Sequence, residues 1–377
     1  MANTGRANLP SAGGSGPPRA PMATVNRLET ERGFLTRANI PPAAIKTIQA
    51  ARRPSTARIY ESTWRSFSSW CSARQVCPTS PSVEHVIGFL QEGFDSGLAP
   101  STLRRQVAAL ASISACASLT TVTKDPLIRQ FLRGASNLSP PVIHRFPTWD
   151  LSKVLSSLTQ SPFEPLRTTS LKFLSFKVSF LVAITSARRI SELAALSIRQ
   201  DLCVFHHDKV VLRLDPTFLP KVNSVYHRSQ EVALPNFCPR PSHRLEEQWH
   251  KLDVRRALRI YLSRSASFRK TEALFVSFQP TTMGIKVSAP TLGRWIRATI
   301  AFSYESQSLA VPNRVTAHST RSAATSAAWA TQASLEEVCK AATWSTPTPF
   351  IRHYRLDAYA SADAAFGRRV LQRVHVS

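Results

Sequence analysis

Three short stretches of this 377-residue chain carry side chains suited to chemistry on a phosphate group. The first is Thr185-Ser186-Ala187-Arg188-Arg189-Ile190-Ser191-Glu192-Leu193 and the second is His318-Ser319-Thr320-Arg321. The third is Ala342-Thr343-Trp344-Ser345, followed ten residues after the tryptophan by Tyr354. Breaking a phosphodiester without water or metal needs a nucleophile, a clamp for charge and an acid for the leaving oxygen. A tyrosyl oxygen can attack phosphorus and hold the strand as a covalent ester, which keeps the bond energy for rejoining. Two guanidiniums can stabilise the extra charge on the equatorial oxygens by bidentate hydrogen bonds. His318 and Arg321 lie three apart, so a helix start would aim both at one place. A histidine there can donate to a phosphate oxygen or accept the tyrosyl proton. Glu192, one helical turn after Arg189, could orient its guanidinium, although the same spacing describes an ordinary surface ion pair. Trp344 could donate its indole N–H to an oxygen and wall the site with its ring, or serve as a core residue.

Such side chains need elements to position them. Residues 1–40 read as a flexible basic tail. Met1 to about Met22 is rich in Gly, Pro, Ala and Ser and lacks the apolar segment of a signal peptide. The basic stretch after it, with Arg27, Arg32 and Arg37, reads as a short helix or an arm. Residues 41–135 read as a four-helix module. Its first helix carries Ile59, Trp64, Phe67 and Trp70, and the second opens at Ser82 and stops at Gly97. The third starts at Pro100 with Arg104 and Arg105 outward, and the fourth follows Asp125-Pro126, bearing Leu127, Phe131 and Leu132.

Residues 136–147, with Ser139-Pro140-Pro141, read as a linker, and 148–377 as a second domain ending in a tail. Helical patterns are expected over 150–158, 171–196, 245–263, 290–302, 319–330 and 335–342. Strands are expected over 210–214, 231–234 and 274–278, the first two forming a ribbon with a long tip. The fold class is therefore mainly α with a small β element.

Composition narrows the partner. Lys plus Arg is 48 against 23 Asp plus Glu, a net charge of +25, and 37 of the 48 cations are arginines. An Arg-rich surplus of this size points to nucleic acid. Apolar runs fall well short of the ~18 residues of a membrane span, so no membrane partner is expected. Six dilute cysteines, with no paired spacing, argue against a disulfide scaffold or a zinc site and for reduced thiols inside a cell.

Together the three stretches resemble the tyrosine recombinase (phage integrase) family, and the C-terminal stretch around Tyr354 is most similar to recombinases of DIRS-type retrotransposons. The resemblance extends from about Pro41 to the C-terminal region and implies a helical core-binding domain followed by a recombinase catalytic domain. It assigns Arg189, rather than Arg188, and Arg321 as the phosphate clamp, with His318 and Trp344 beside them. Tyr354 is then the nucleophile, Tyr359 being the weaker alternative. The family's general acid is a lysine at a ribbon tip, which matches Lys221, with Lys209 as the fallback. Arg104 and Arg105 are candidates for DNA contact, or a solvated helix face.

The implied activity is site-specific cutting and rejoining of double-stranded DNA through a 3′-phosphotyrosyl bond, by a homo-tetramer, for a mobile element. No cofactor and no metal are called for. The expected location is intracellular, and nuclear in a eukaryotic host. A catalytically silent DNA-binding protein derived from a recombinase is the alternative, and a monomeric type IB topoisomerase is a more remote one.

Overall fold

The computed structural model describes residues 26–113, 116–141, 148–313 and 315–351. The chain divides into two units, Met1–Val142 and Ile143–Ser377.

In the first unit prolines and short polar side chains set the helix starts. The helices are α1 (Arg27–Arg37), α2 (Pro42–Gln49), α3 (Pro54–Ala73), α4 (Val83–Asp95), α5 (Pro100–Ala111), α6 (Ala117–Thr123) and α7 (Pro126–Leu138). Pro42, Pro54, Pro100 and Pro126 each occupy a first helical position, where the missing N–H costs nothing. The Asn26, Ser82 and Asp125 side chains cap α1, α4 and α7. Gly97 follows α4 with φ +87, and its N–H donates to the Phe94 carbonyl at 2.9 Å. The core joins Trp64, Phe67 and Cys71 of α3 to Phe89 and Leu90 of α4, Leu103 and Leu110 of α5 and Ile128 of α7. Phe67 and Phe89 meet edge to face with centroids 5.2 Å apart.

Not every apolar side chain of these helices is buried. Ile59 and Leu127 are 42% and 55% exposed. Ile59 lies five residues, about 140° of helix, from Trp64, and so leaves the apolar stripe. In α7 the neighbouring Ile128 takes the inward position. The expected linker begins later, because α7 runs to Leu138.

The stretch read as part of a flexible tail is helix α1 over Arg27–Arg37, with Arg27 and Glu31 fully buried. Glu31 sits between two cations, 3.6 Å from Arg27 Nη1 and 3.1 Å from Arg52 Nη1. Arg27 Nη1 also donates to Ser112 Oγ at 3.3 Å, and Arg52 Nη2 to the Ser112 carbonyl at 2.6 Å. Burial pushes the Arg27 pKa down, and Glu31 opposes that. A basic stretch thus folds with Glu31 between its cations, and Glu61 adds a second carboxylate by accepting the Arg27 backbone N–H at 3.1 Å. Residues 1–25 lie outside the described residues.

The second unit is built around one buried helix. Its elements are α8 (Leu151–Leu158), α9 (Leu171–Ser186), α10 (Ile190–Leu193), β1 (Cys203–Phe205), β2 (Lys209–Arg213), α11 (Val225–Arg228) and β3 (Glu231–Pro235). They are followed by α12 (Arg244–Lys251), α13 (Val254–Ser265), α14 (Ala289–Glu305), α15 (Ser319–Ala330) and α16 (Leu335–Ala341). Leu174 to Ala183 is buried without a break, because α13, α14, α15 and β3 pack around α9. Lys177 within that run donates to Glu164 Oε1 at 2.7 Å and to the Leu158 carbonyl at 2.6 Å. Burial lowers its pKa to about 8.

The sheet is antiparallel in the order β1-β2-β3, with Val204 opposite Val211 and Val211 opposite Ala233. Strand β1 was not foreseen. The pattern over 171–196 is not one helix: α9 ends at Ser186, where Ala187 turns left-handed. The pattern over 245–263 is two helices, because Asp253 accepts the Arg256 N–H at 2.7 Å and starts α13 afresh. The strand expected over 274–278 appears only as isolated bridges, Ser197 to Ala273 and Val276 to Lys286. Among the described residues no helix is long and apolar enough to cross a membrane.

Removing Glu31 leaves two cations together, one of them fully buried. Glu31→Ala is therefore expected to cost about 3–5 kcal/mol, read by urea unfolding followed through tryptophan fluorescence. A loss below about 1 kcal/mol, the size of an exposed ion pair, would show that α1 is not held by this charge cluster.

Candidate active site

The site of the second unit forms where two chain reversals meet. The first follows α9. Ala187 has φ +50 and its N–H donates to the Ala183 carbonyl at 3.1 Å. The reversal sends two adjacent arginines to different places. Arg188 is buried and donates from Nη2 to the Glu231 carbonyl of β3 at 2.7 Å, and burial lowers its pKa. Arg189 is the extended residue before α10 and keeps 22% of its side chain exposed. Its Nη1 donates to Glu192 Oε1 at 2.7 Å and to Thr343 Oγ1 at 3.4 Å. Glu192 is itself buried, and its second oxygen accepts the Arg189 backbone N–H at 3.4 Å. One carboxylate thus holds both ends of Arg189. Arg188 serves the sheet, and Arg189 is the arginine left facing the site.

The second reversal follows α16. Thr343 has φ +53, an uncommon conformation for a β-branched residue. It lets the Trp344 N–H reach back to the Cys339 carbonyl at 2.9 Å. Trp344 is buried with Ala187, Val338, Cys339, Ala342 and Phe350. This small cluster contains residues of both reversals, so neither can move without the other.

Between them stands the start of α15. Trp149 Nε1 donates to Ser319 Oγ at 2.8 Å and pins that end. Arg321 is 1% exposed. Its Nη2 donates to the Ala342 carbonyl, and its guanidinium carbon lies 4.6 Å from the centre of the Trp344 ring. His318 precedes α15 and keeps an open face to solvent. Partial enclosure by the protein lowers its pKa below the usual 6.5, and the charges of Arg321, Arg189 and Lys221 lower it further.

Lys221 lies exposed in the connection between β2 and β3, close enough for its charge to act on His318. Lys209, the fallback, opens β2 at the other end of the sheet and lies 3.8 Å from Asp208. The structure therefore brings Arg189, Lys221, His318, Arg321 and Trp344 into one neighbourhood. Tyr354 and Tyr359 lie outside the described residues. Arg104 and Arg105 are exposed on α5 of the other unit, where Arg104 donates to Ser136 Oγ of α7.

Two residues escaped the sequence reading. A lone threonine beside a tryptophan carries no signal that it will touch Arg189. No spacing rule identifies Ala187 as left-handed, since glycine is the usual residue there.

No protein-family model matches the chain, and no curated protein matches it significantly. Solved structures do. The XerH site-specific recombinase bound to its difH substrate, in a pre-cleavage complex, aligns with a TM-score of 0.54 at 14% identity. That alignment covers 89% of this chain and 84% of that one. The Tn1549 transposon integrase in complex with a circular intermediate DNA aligns with a TM-score of 0.51 at 14% identity. It covers 91% of this chain and 99% of that one.

The fold is the tyrosine-recombinase fold. Within this fold the charges of Arg321, Arg189 and Lys221 all act on His318, and Trp344 packs against Arg321.

His318 supplies a test. Its lowered pKa keeps it neutral at pH 7, and the proton is taken up only below 6.5. Because the unfolded state binds that proton first, this residue's stabilising contribution is present above pH 6.5 and is lost as pH falls through its folded-state pKa. An NMR titration is expected to place the His318 midpoint below 6.5 in the free protein and to move it upward when a phosphate oxygen enters the pocket. A midpoint unmoved by DNA would separate His318 from the phosphate site.

Proposed function

We propose that this chain is a site-specific DNA recombinase that cuts and rejoins double-stranded DNA through a phosphotyrosyl intermediate. The observation that carries the proposal is the convergence of Arg189, His318, Arg321 and Lys221 in a recombinase fold. The Tyr354 oxygen would bond to phosphorus as the 5′ oxygen leaves. The tyrosyl proton would pass to neutral His318, and Lys221 would protonate the departing oxygen. Arg321, held by a carbonyl and an aromatic ring, and Arg189, held by Glu192, would bind the equatorial oxygens. Trp344 would wall the pocket and hold Arg321 in place.

The DNA partner is supported by the net charge of +25 and by neighbours whose structures are complexes with DNA. The tetrameric assembly implied by the family resemblance belongs to the same proposal. A mobile-element origin is supported by the resemblance of the stretch around Tyr354 to DIRS-type recombinases. The exposed Arg104 and Arg105 would contribute phosphate contacts from the core-binding domain.

The test is a suicide duplex nicked near the scissile phosphate, followed by detection of an SDS-stable adduct and mapping of the linked residue by mass spectrometry. The adduct is expected at Tyr354. Tyr354→Phe should abolish it while leaving DNA binding intact, and Arg321→Ala should slow its formation by about 10²–10³-fold, as for loss of one oxyanion donor. DNA binding without any adduct on cognate ends would favour the catalytically silent reading. An adduct persisting in Tyr354→Phe would move the nucleophile to another tyrosine.

A further inference from the structure

A second cationic cavity lies in the same unit, at the other end of the sheet. Its volume is about 470 Å³, and its lining includes Arg167, Asn236, His250, Arg255, Arg256 and Arg259. The remaining wall is proline, leucine and isoleucine, and no carboxylate lines it. The active-site residue Lys221 sits in the β2–β3 connection, beyond the pair Arg213 and Glu231. This cavity is tied instead to the turn after β1, on the side of the pair Lys209 and Pro235. Arg255 Nε donates to the His206 carbonyl at 3.0 Å, and Asn236 Nδ2 donates to the His207 carbonyl at 3.2 Å. One five-residue strand at ~3.4 Å per residue separates the two ends, so the two sites take different phosphates.

The cavity is built rather than accidental. Arg255 and Arg259 are one turn apart on α13, and their guanidiniums lie 5.9 and 5.6 Å from the centre of the same Phe205 ring. Arg264, also on α13, donates from Nη1 to the Leu166 carbonyl at 2.9 Å and to the Thr169 carbonyl at 2.6 Å. Those bonds clamp the loop carrying Arg167 against the helix. Arg256 spends its charge on Glu164, at 3.0 Å, which also holds Lys177. Among the described residues Arg167, Arg255 and Arg259 form no ion pair with a carboxylate. Arg167 and Arg259 are exposed and Arg255 gives two donors to the His206 carbonyl, so an anion entering the cavity would meet guanidiniums that no carboxylate neutralises. Guanidinium forks suit phosphate oxygens in particular.

We propose that this cavity binds a backbone phosphate of DNA other than the scissile one, supplied either by the flank of the bound duplex or by a second duplex. The choice of DNA as the polyanion rests on the proposed recombinase reading. The cavity itself does not.

The test uses the full chain and the double variant Arg167→Ala/Arg259→Ala. Arg255 and Arg256 are left in place because they hold His206 and Glu164. Melting temperature is expected to be unchanged. The slope of log affinity against log salt for duplex DNA is expected to become shallower by about 0.9, the value for one phosphate no longer neutralised. If the flank fills the cavity, lengthening the duplex raises wild-type affinity and not that of the variant. If a second duplex fills it, the wild type captures a labelled second duplex on an immobilised first one, and the variant does not. An unchanged salt slope on every DNA overturns the proposal. So does a variant that loses polyglutamate binding while keeping wild-type DNA binding, since the cavity would then belong to an acidic peptide. The suicide-duplex adduct at Tyr354 is expected to persist in the variant. A chain that forms no adduct but shows the slope change would sink the catalytic reading and leave the cavity standing.

Discussion

The candidate site depends on two left-handed residues that are not glycine. Ala187 and Thr343 each carry a Cβ into a conformation that costs on the order of 1–2 kcal/mol; the first reverses the chain two residues before Arg189 and the second directly before Trp344. The cost is offset because Ala187 and Trp344 bury themselves in one small cluster with Phe350 and α16. The cluster fixes the distance between the turn that carries Arg189 and the turn that receives it at Thr343. Arg321 is then trapped between the Ala342 carbonyl and the Trp344 ring. Strain, packing and the placement of two guanidiniums are in this sense one feature.

Electrostatics explains how so basic a chain folds. Carboxylates are scarce, and three of the enclosed ones stand beside cations. Glu31 neutralises Arg27 and Arg52, Glu164 neutralises Lys177 and Arg256, and Glu192 anchors Arg189. Each pairing lets a long cationic side chain enter or border the interior, where an unpaired charge would be far more costly. Much of the remaining positive charge lies on exposed side chains such as Arg104, Arg105 and Lys221, where on the proposed reading a polyanion would neutralise it.

Much of this was legible in the residue order. Prolines at first helical positions and the polar caps Ser82, Asp125 and Asp150 placed helix starts, because those signals act within one turn. The ribbon strands were visible as β-branched runs for the same local reason. Arg189, His318, Arg321, Trp344 and Lys221 were named only through the resemblance of their stretches to the recombinase family. Local patterns overreached where one periodic run hid a break. Neither Ala187 nor Asp253 announces a helix end, and Ile59 matched an apolar list while missing the stripe.

By itself, then, the sequence determined the helix starts, the surplus of arginine and the residue types available to a phosphate. Each of these is a property of a residue and its neighbours within a few positions. Only the tertiary structure decided that Arg188 would tie to the sheet while Arg189 reaches Thr343, that a basic stretch would bury as α1, and that four arginines would line one cavity. Those outcomes turn on partners distant in the chain: Glu231 for Arg188, Thr343 for Arg189, Ser112 for Arg27 and Phe205 for Arg255 and Arg259. A charge is directed by whichever distant carbonyl, carboxylate or ring the fold brings within a few ångströms, and no local spacing encodes that meeting.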